Sequence, residues 1–282
     1  MIFANRGMVM DIVKIIQTIL LGIIQGITEW LPVSSTGHML LFDSLWPMTG
    51  VSKEFMDTFK VVIQFGSILA VVVLYFEKLN PFSGKKSIEQ RKNTWTLWYK
   101  VAVASIPAAV FGFLFEDMID NVLSENYVIA VTLILYGIGF IIMENINRRA
   151  VFNDVIDFTF KTAFIIGMFQ VLALIPGTSR SGATIIGAVA IGCSRAAAAE
   201  FSFFLAVPVM LGASGFKLLK SGFSFAAHEW AILILGMVVA FIVSVVAIKF
   251  LMGYIRKHDF KAFGWYRIIL GIVVLLYFYV II

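Results

Sequence analysis

The sequence has few charges, one cysteine and no polar stretch long enough to form a soluble domain. Of its 282 residues, 14% are charged and 60% are hydrophobic, and the mean hydropathy is +0.95. Because a soluble domain carries roughly 25% charged residues, a water-soluble fold is excluded. The single Cys193 excludes an internal disulfide and a cysteine metal cluster. The net charge of +5 requires no nucleic-acid partner, since basic loops on one membrane face account for it.

Long uncharged runs predict an all-α integral membrane protein. Those that approach the length of a bilayer crossing lie at 61–76, 101–115, 127–143, 162–179, 201–216, 230–248 and 268–282. Several are slightly short, which suits broken or re-entrant elements as well as full spans. Residues 8–28 lack a small-residue cleavage site before Pro32, so we interpret them as mature protein and not as a signal peptide. We expect a single polytopic membrane domain over residues 1–282.

The charges of the connecting segments orient these runs. Segment 77–100, predicted to be a loop, carries six basic residues, whereas 116–126 carries four acidic residues and no basic one. The positive-inside rule places the first in the cytoplasm and the second outside. The basic connections 144–161 and 253–262 are then cytoplasmic as well. About six transmembrane helices follow, at 59–76, 95–115, 127–143, 199–219, 229–252 and 263–282.

Two segments must return to the membrane face from which they start. Residues 162–198 begin and end in the cytoplasm and residues 10–57 begin and end outside, so each is predicted to form a re-entrant helical hairpin. The two hairpins would meet at the membrane midplane. The chain then forms an inverted-topology repeat, with copies at 10–150 and 155–282, as is common in transporters. Weak similarity between the copies supports this division, at 22–25 and 167–170.

Each hairpin contains a loop rich in hydroxyl groups, residues 32–38 (the first loop) and 176–182 (the second loop). Non-helical backbone at membrane depth is tolerated only where protein buries it or where it lines a cavity. Polar residues at that depth mark a functional site. The alternative is a pair of solvent-facing loops, but such loops have no need of Arg180 and His38 beside runs of hydroxyls.

Gln25 and Glu29 suggest a cation site. Four residues apart, they share one helical face, directed with Ser34, Ser35 and His38 toward the second loop. Glu29 lies in an otherwise uncharged stretch and needs a cation or a proton there. A carboxylate and an amide oxygen suit Mg²⁺ or Ca²⁺ when phosphate oxygens supply the remaining ligands. The alternative is a helix-end charge that reaches water.

Arg180 is the second charged candidate. Its guanidinium binds phosphate oxygens through two hydrogen bonds and keeps its proton. Gly177 and Gly182 let the backbone approach an anion, and helix N-termini after the loops would point N–H groups at it. Further hydroxyl donors come from Ser179, Ser181 and Thr184. The alternative is that Arg180 caps a helix or pairs with Glu29, and the pairing is compatible with a site.

His38 follows Ser35 by three residues, so one helical turn would bring the imidazole beside the hydroxyl. That arrangement suits a nucleophile with its base, or a nucleophile with the acid that protonates the leaving group. We favour Ser35 as the nucleophile. Attack by His38 or by an activated water stays open.

These motifs resemble the bacterial undecaprenyl-diphosphatase family, also called bacitracin-resistance proteins. Residues 25–29 resemble its (Glu/Gln)-x-x-x-Glu element, and residues 176–184 resemble its Pro-Gly-x-Ser-Arg-Ser-x-x-Thr element. The resemblance runs nearly end to end. It implies metal-dependent hydrolysis of undecaprenyl diphosphate to the monophosphate, which recycles the lipid carrier for peptidoglycan synthesis and confers bacitracin resistance.

The resemblance also implies the site residues. The catalytic ones are Glu29, Ser35, His38 and Arg180. Of the supporting residues it implies Ser34, Ser179 and Thr184. Together with neighbouring residues of the two loops, the predicted substrate-binding set is Ser34, Thr36, Gly177, Thr178, Ser179, Ser181 and Thr184. Glu29 and Gln25 would hold the cation, although position 25 is commonly Glu in the family, so binding here rests more on Glu29. The site would open on the outer face of the bacterial cytoplasmic membrane, among membrane lipids, and a homodimer is compatible with the sequence.

Two other functions fit parts of the sequence. A transporter or lipid flippase explains the inverted repeat but not the Ser35–His38 pairing. A phosphatidic-acid-phosphatase-type enzyme would account for residues 35–38, which resemble its Ser-Gly-His, but the chain has no Arg-Pro pair. A lipid diphosphatase is therefore the leading hypothesis.

Overall fold

The computed structural model describes residues 12–115, 118–119, 123, 125–146, 149–222 and 225–281. Most of the predicted acidic outer loop lies outside the described residues, including Glu116, Asp117 and Asp120. Arg148 of the predicted cytoplasmic connection also lies outside them. The described part of the chain consists of α-helices joined by short loops.

The helices fall into two series, each a hairpin followed by long helices. The first series is α1 (Ile12–Thr28), α2 (Ser35–Leu45), α3 (Lys53–Leu74), the single turn α4 (Phe76–Leu79), α5 (Ile88–Leu114) and α6 (Asn126–Asn145). The second is α7 (Phe160–Val171), α8 (Arg180–Ala190), α9 (Arg195–Lys220), α10 (Ala227–Tyr254) and α11 (Lys261–Leu276). The first loop joins α1 to α2 and the second joins α7 to α8.

Six helices of the described chain are long and apolar enough to cross a membrane. They are α3, α5, α6, α9, α10, and α11 with its extension to Ile281. The predicted all-α class and the six crossings are confirmed. The re-entrant course of the two hairpins stays a prediction.

The prediction of a loop over 77–100 is wrong in its second half, because α5 begins at Ile88. Ser87 caps this helix: its Oγ accepts from Gln90 N at 3.2 Å, and Gln90 Oε1 accepts from Ser87 N at 2.9 Å. Such a capping box satisfies backbone donors that would otherwise lack partners. A charged first turn therefore extends the helix beyond its apolar run.

Helix contacts in the two series correspond. Helix α1 packs on α10 as α7 packs on α5, while α3 contacts α9 and α6 contacts α11. Close approach is possible because Gly22 of α1 lies against Val239 of α10, and Gly167 of α7 lies against Ala104 of α5. A Cβ atom at either glycine would collide with the neighbouring helix. The division into repeats 10–150 and 155–282 stays a prediction, and these contacts are compatible with it.

The predicted topology can be tested by labelling single cysteines. Native Cys193 is buried, and burial raises the pKa of its thiol to about 12, so it reacts slowly. A Ser52→Cys protein should react with a membrane-impermeant maleimide on intact cells, because α3 begins at the predicted outer face. A Lys85→Cys protein, at an 86% exposed side chain, should react only after permeabilisation. The reverse pattern would invert the topology.

Candidate active site

The two loops end in the same unusual backbone conformation. Ser34 and Ser179 have φ of 73° and 70°, and they are the only described non-glycine residues with positive φ. Each is the N-cap of the next helix: Ser34 Oγ accepts from Gly37 N at 3.5 Å and Ser179 Oγ from Gly182 N at 3.2 Å. A left-handed serine costs on the order of 1 kcal/mol or more and persists where surrounding contacts hold it.

The second loop is anchored on α6 at Gly177. Its φ is 88°, and a Cβ there would overlap Thr132 Oγ1 and Ile129 O. Thr132 Oγ1 donates to Pro176 O at 2.7 Å. Only glycine fits this turn, because both the positive φ and the close backbone contact exclude a side chain.

Glu29 and Arg180 form a buried ion pair between the two hairpins. Arg180 donates to Glu29 Oε1 from Nη2 at 3.2 Å and from Nε at 3.4 Å. Its Nη1 donates to Ser202 O at 2.7 Å. The guanidinium carbon lies 5.7 Å from the centroid of the Trp30 ring. The guanidinium is therefore held on three sides.

The second carboxylate oxygen of Glu29 contacts two other candidates, Gln25 and Ser35. Gln25 Nε2 donates to Glu29 Oε2 at 3.1 Å, and Ser35 Oγ donates to the same oxygen at 3.5 Å. Gln25 is fully buried, and its Oε1 has no protein partner among the described residues. The Ser35 hydroxyl and the Gln25 amide nitrogen thus meet at one carboxylate oxygen.

A cavity of about 210 Å³ opens beside Glu29, Ser35 and Arg180, and Gln25 is not among the described residues that line it. Among the residues proposed from the sequence, it is lined by Glu29, Ser35, Thr36, Gly177, Ser179 and Arg180. Of the described residues, it also exposes the amides Gln64 and Gln170 and the apolar side chains Ala108, Leu174, Val209 and Ala213. The volume suits a diphosphate group rather than a whole lipid.

The other proposed residues lie behind the cavity wall. Four of them are buried, at most 1% exposed: Ser34, Thr178, Ser181 and Thr184. Ser181 Oγ donates to Glu29 O at 3.0 Å, and Thr184 Oγ1 is 2.7 Å from Ser202 Oγ. Ser202 in turn accepts from Arg180. These hydroxyls hold the loops and Arg180 in place; in this geometry they do not line the cavity.

His38 is not paired with Ser35. Its Nδ1 donates to Ser34 O at 2.7 Å, and its Nε2 lies 2.6 Å from Tyr266 Oη. Because Nδ1 carries a proton, the neutral ring accepts a hydrogen bond from Tyr266. The expectation of an imidazole beside the Ser35 hydroxyl is wrong for this geometry, and Glu29 occupies that position instead.

Arg267 of α11 is a residue that the sequence analysis missed. It is fully buried and donates to Pro32 O at 3.2 Å, to Gly177 O at 2.8 Å and to Thr178 O at 2.9 Å. One guanidinium thus fixes both loops. The sequence does carry a signal for it, because Arg267 directly precedes the last apolar run. Arg180 was selected for a similar reason, as a charge beside apolar sequence.

An apolar cavity of about 620 Å³ adjoins the polar one. The two cavities share four lining residues, Ala108, Leu174, Val209 and Ala213. The larger one is also lined by Gly112 and Phe113 near the end of α5 and by Lys217 and Lys220 at the end of α9. Both helix ends lie at the predicted outer face.

The described residues contain no group of three or more His, Cys, Asp or Glu side chains placed to hold a metal ion. Any cation at Glu29 would therefore take most of its ligands from elsewhere. Gln25 Oε1 and phosphate oxygens of a substrate are candidate ligands.

Sequence comparison identifies the family. A family model described as bacitracin resistance protein BacA matches residues 18–273. The chain belongs to this family. The undecaprenyl-diphosphatase 1 of Clostridioides difficile (strain 630) is 59% identical over 271 residues, which cover 96% of this chain and 98% of that protein. The undecaprenyl-diphosphatase of Enterococcus faecalis is 58% identical, over 95% and 99%. That of Acetivibrio thermocellus is 57% identical, over 94% and 98%. The resemblance inferred from the motifs is confirmed.

Proposed function

We propose that the protein hydrolyses undecaprenyl diphosphate to undecaprenyl phosphate and inorganic phosphate. This reaction recycles the lipid carrier of cell-wall synthesis and underlies bacitracin resistance. The observation that carries the proposal is the junction of Glu29, Ser35 and Arg180 in a polar cavity that continues into an apolar one. The names of relatives at 57–59% identity support it.

The polar cavity binds the diphosphate head group of the substrate in this proposal. Arg180 supplies a delocalised positive charge whose planar donors match phosphate oxygens. Helices α2 and α8 begin at Ser35 and Arg180, so the positive ends of two helix dipoles converge there. A diphosphate is the anion that this combination favours.

The apolar cavity binds the first part of the prenyl chain in this proposal. Its walls are largely aliphatic and aromatic, and it joins the polar cavity directly. Lys217 and Lys220 at its rim would attract a lipid diphosphate. Because this rim lies at the predicted outer face, we propose that the site opens on the extracytoplasmic side of the cytoplasmic membrane.

The geometry favours Ser35 as the nucleophile and Glu29 as its proton acceptor. The Ser35 Oγ–P bond forms as the bond from the distal phosphorus to the bridging oxygen breaks, and undecaprenyl phosphate leaves. The hydroxyl proton passes to Glu29, which accepts from Ser35 in this structure. Arg180 neutralises charge on the transferring group. Water then cleaves the phosphoserine and releases inorganic phosphate.

The oxygen atoms around Glu29 are of the type that a divalent cation such as Mg²⁺ or Ca²⁺ binds. Gln25 Oε1 is a buried oxygen without a protein partner in the described part of the chain, next to a carboxylate. Hard cations prefer such oxygens. Glu29 and Gln25 would hold the ion, and it would supply positive charge to the diphosphate oxygens. Because Arg180 already pairs with Glu29, the substrate must provide most of the ligands.

Two substitutions test this cation site. Glu29→Gln should abolish activity, because it removes both the negative charge and the proton acceptor. Gln25→Glu should keep activity and lower the Mg²⁺ concentration for half-maximal rate by about tenfold, since a second carboxylate strengthens the site. The measurement is phosphate release from a polyprenyl diphosphate by detergent-solubilised protein, titrated with Mg²⁺ after EDTA treatment. Metal titrations of Gln25→Glu that coincide with the parent curve would remove Gln25 from the site.

A further inference from the structure

Gln170 is a buried glutamine whose side-chain amide has no hydrogen-bond partner among the described residues. It lies on α7 with a side chain only 2% exposed, and it lines the polar cavity with Glu29, Ser35 and Arg180. Neither its Oε1 nor its Nε2 has a protein partner among the described residues. A complete amide, in a residue that lines the cavity, is thus buried without a hydrogen bond from the described part of the protein.

The repeat explains why the protein offers this amide no partner. Gln170 corresponds to Gln25, whose Nε2 donates to Glu29 four residues later. Four residues after Gln170 stands Leu174, so the second copy has no carboxylate at the equivalent place. The second copy therefore has the amide but no carboxylate to pair with it.

Burying a polar group without a partner costs free energy, because its hydrogen bonds to water are lost and not replaced. Another buried glutamine of the described chain, Gln17 of α1, avoids this cost. Its Nε2 donates to Trp46 O and to Pro47 O, each at 3.2 Å. The amide of Gln170 bears this cost unless a ligand supplies its hydrogen-bond partner.

We propose that Gln170 binds the diphosphate group of the substrate directly, with its Nε2 donating to a phosphate oxygen. The proposal rests on the proposed function. Gln170 adds a donor to the cavity without adding charge. Three elements then contact the head group: α2 through Ser35, α8 through Arg180 and α7 through Gln170.

The decisive variant is Gln170→Leu, which removes the amide at similar volume. We expect kcat/KM for a polyprenyl diphosphate to fall about tenfold to hundredfold, the effect of losing one hydrogen bond to a charged group. We expect the Tm of the ligand-free protein to stay the same or rise, because an orphaned polar group is replaced by an apolar one. A merely structural glutamine would give the opposite combination, a lower Tm with kcat/KM retained.

Gln17→Leu is the matched control. It removes a buried glutamine that has protein partners and lies outside the cavity, so its Tm should fall while kcat/KM is retained. Inorganic diphosphate provides a second readout: it should raise the Tm of the parent and raise that of Gln170→Leu less.

The outcomes separate the two proposals. A parent that hydrolyses the lipid, together with a Gln170→Leu protein of unchanged kcat/KM and unchanged response to diphosphate, overturns the role of Gln170 and leaves the function standing. A parent that shows neither hydrolysis nor a response to diphosphate overturns the function, and the role of Gln170 falls with it.

Discussion

Arg180→Lys is expected to lose most of the hydrolytic activity although the charge is kept. Arg180 directs Nε and Nη2 to Glu29 and Nη1 to Ser202, with its face on Trp30. The single ammonium group of a lysine, on a shorter side chain, cannot bind both Glu29 and Ser202 and also contact two phosphate oxygens. Each lost charge-assisted hydrogen bond is worth about 1.5–3 kcal/mol, so we expect kcat/KM to drop by roughly ten- to several-hundredfold.

Arg195→Lys provides the matched control for this prediction. Arg195 also binds a buried carboxylate through two N–H groups, donating to Glu144 from Nε at 2.9 Å and from Nη2 at 2.5 Å. It begins α9 and does not line the polar cavity of the described chain. We expect a lower Tm but nearly unchanged kcat/KM. Near-parental turnover by a folded Arg180→Lys protein, measured as phosphate release, would reject the phosphate-binding role of Arg180.

The membrane fold could be predicted from the sequence because its signals are local. Uncharged runs and loop charges give the six crossings, since a bilayer demands continuous apolar length. Helix starts were less accurate. The first turn of α5 is polar and depends on the Ser87 cap, which carries no apolar signal.

The charged residues of the site could be predicted for a related reason. Glu29 and Arg180 stand alone in apolar sequence, and a charge in such a place needs a partner. Their pairing across 151 positions was one of the alternatives and is what the structure has. That Ser202 contacts Arg180 and that Arg267 contacts both loops could not be predicted, because only tertiary packing brings α9 and α11 against the loops.

The misplacement of His38 has a specific cause. Spacing of three residues brings side chains together only when both lie well inside a helix. Ser35 is the first residue of α2, directly after the left-handed Ser34, and its hydroxyl turns toward Glu29. His38 instead reaches back to the Ser34 carbonyl. The unusual φ of Ser34 therefore decides which residue becomes the neighbour of Ser35.

This geometry leads to the prediction on the nucleophile. Ser35→Ala should lower kcat by on the order of a thousandfold or more, as removal of a covalent nucleophile does in other hydrolases. His38→Ala should lower it much less, because His38 acts on the loop through the Ser34 carbonyl and not on the substrate. Tyr266→Phe should resemble His38→Ala and add little to it in the double variant, since the two side chains share one hydrogen bond.

Trapping of the intermediate checks the same assignment independently of rates. With a substrate labelled on the distal phosphate, rapid acid quenching should leave acid-stable label on Ser35. Label that is lost in acid but retained in base would indicate phosphohistidine and move the attack to His38. Absence of covalent label under conditions of rapid turnover, together with an active Ser35→Ala protein, would assign the attack to water. Glu29 would remain the proton acceptor in that case, because among the described residues that line the cavity it is the carboxylate.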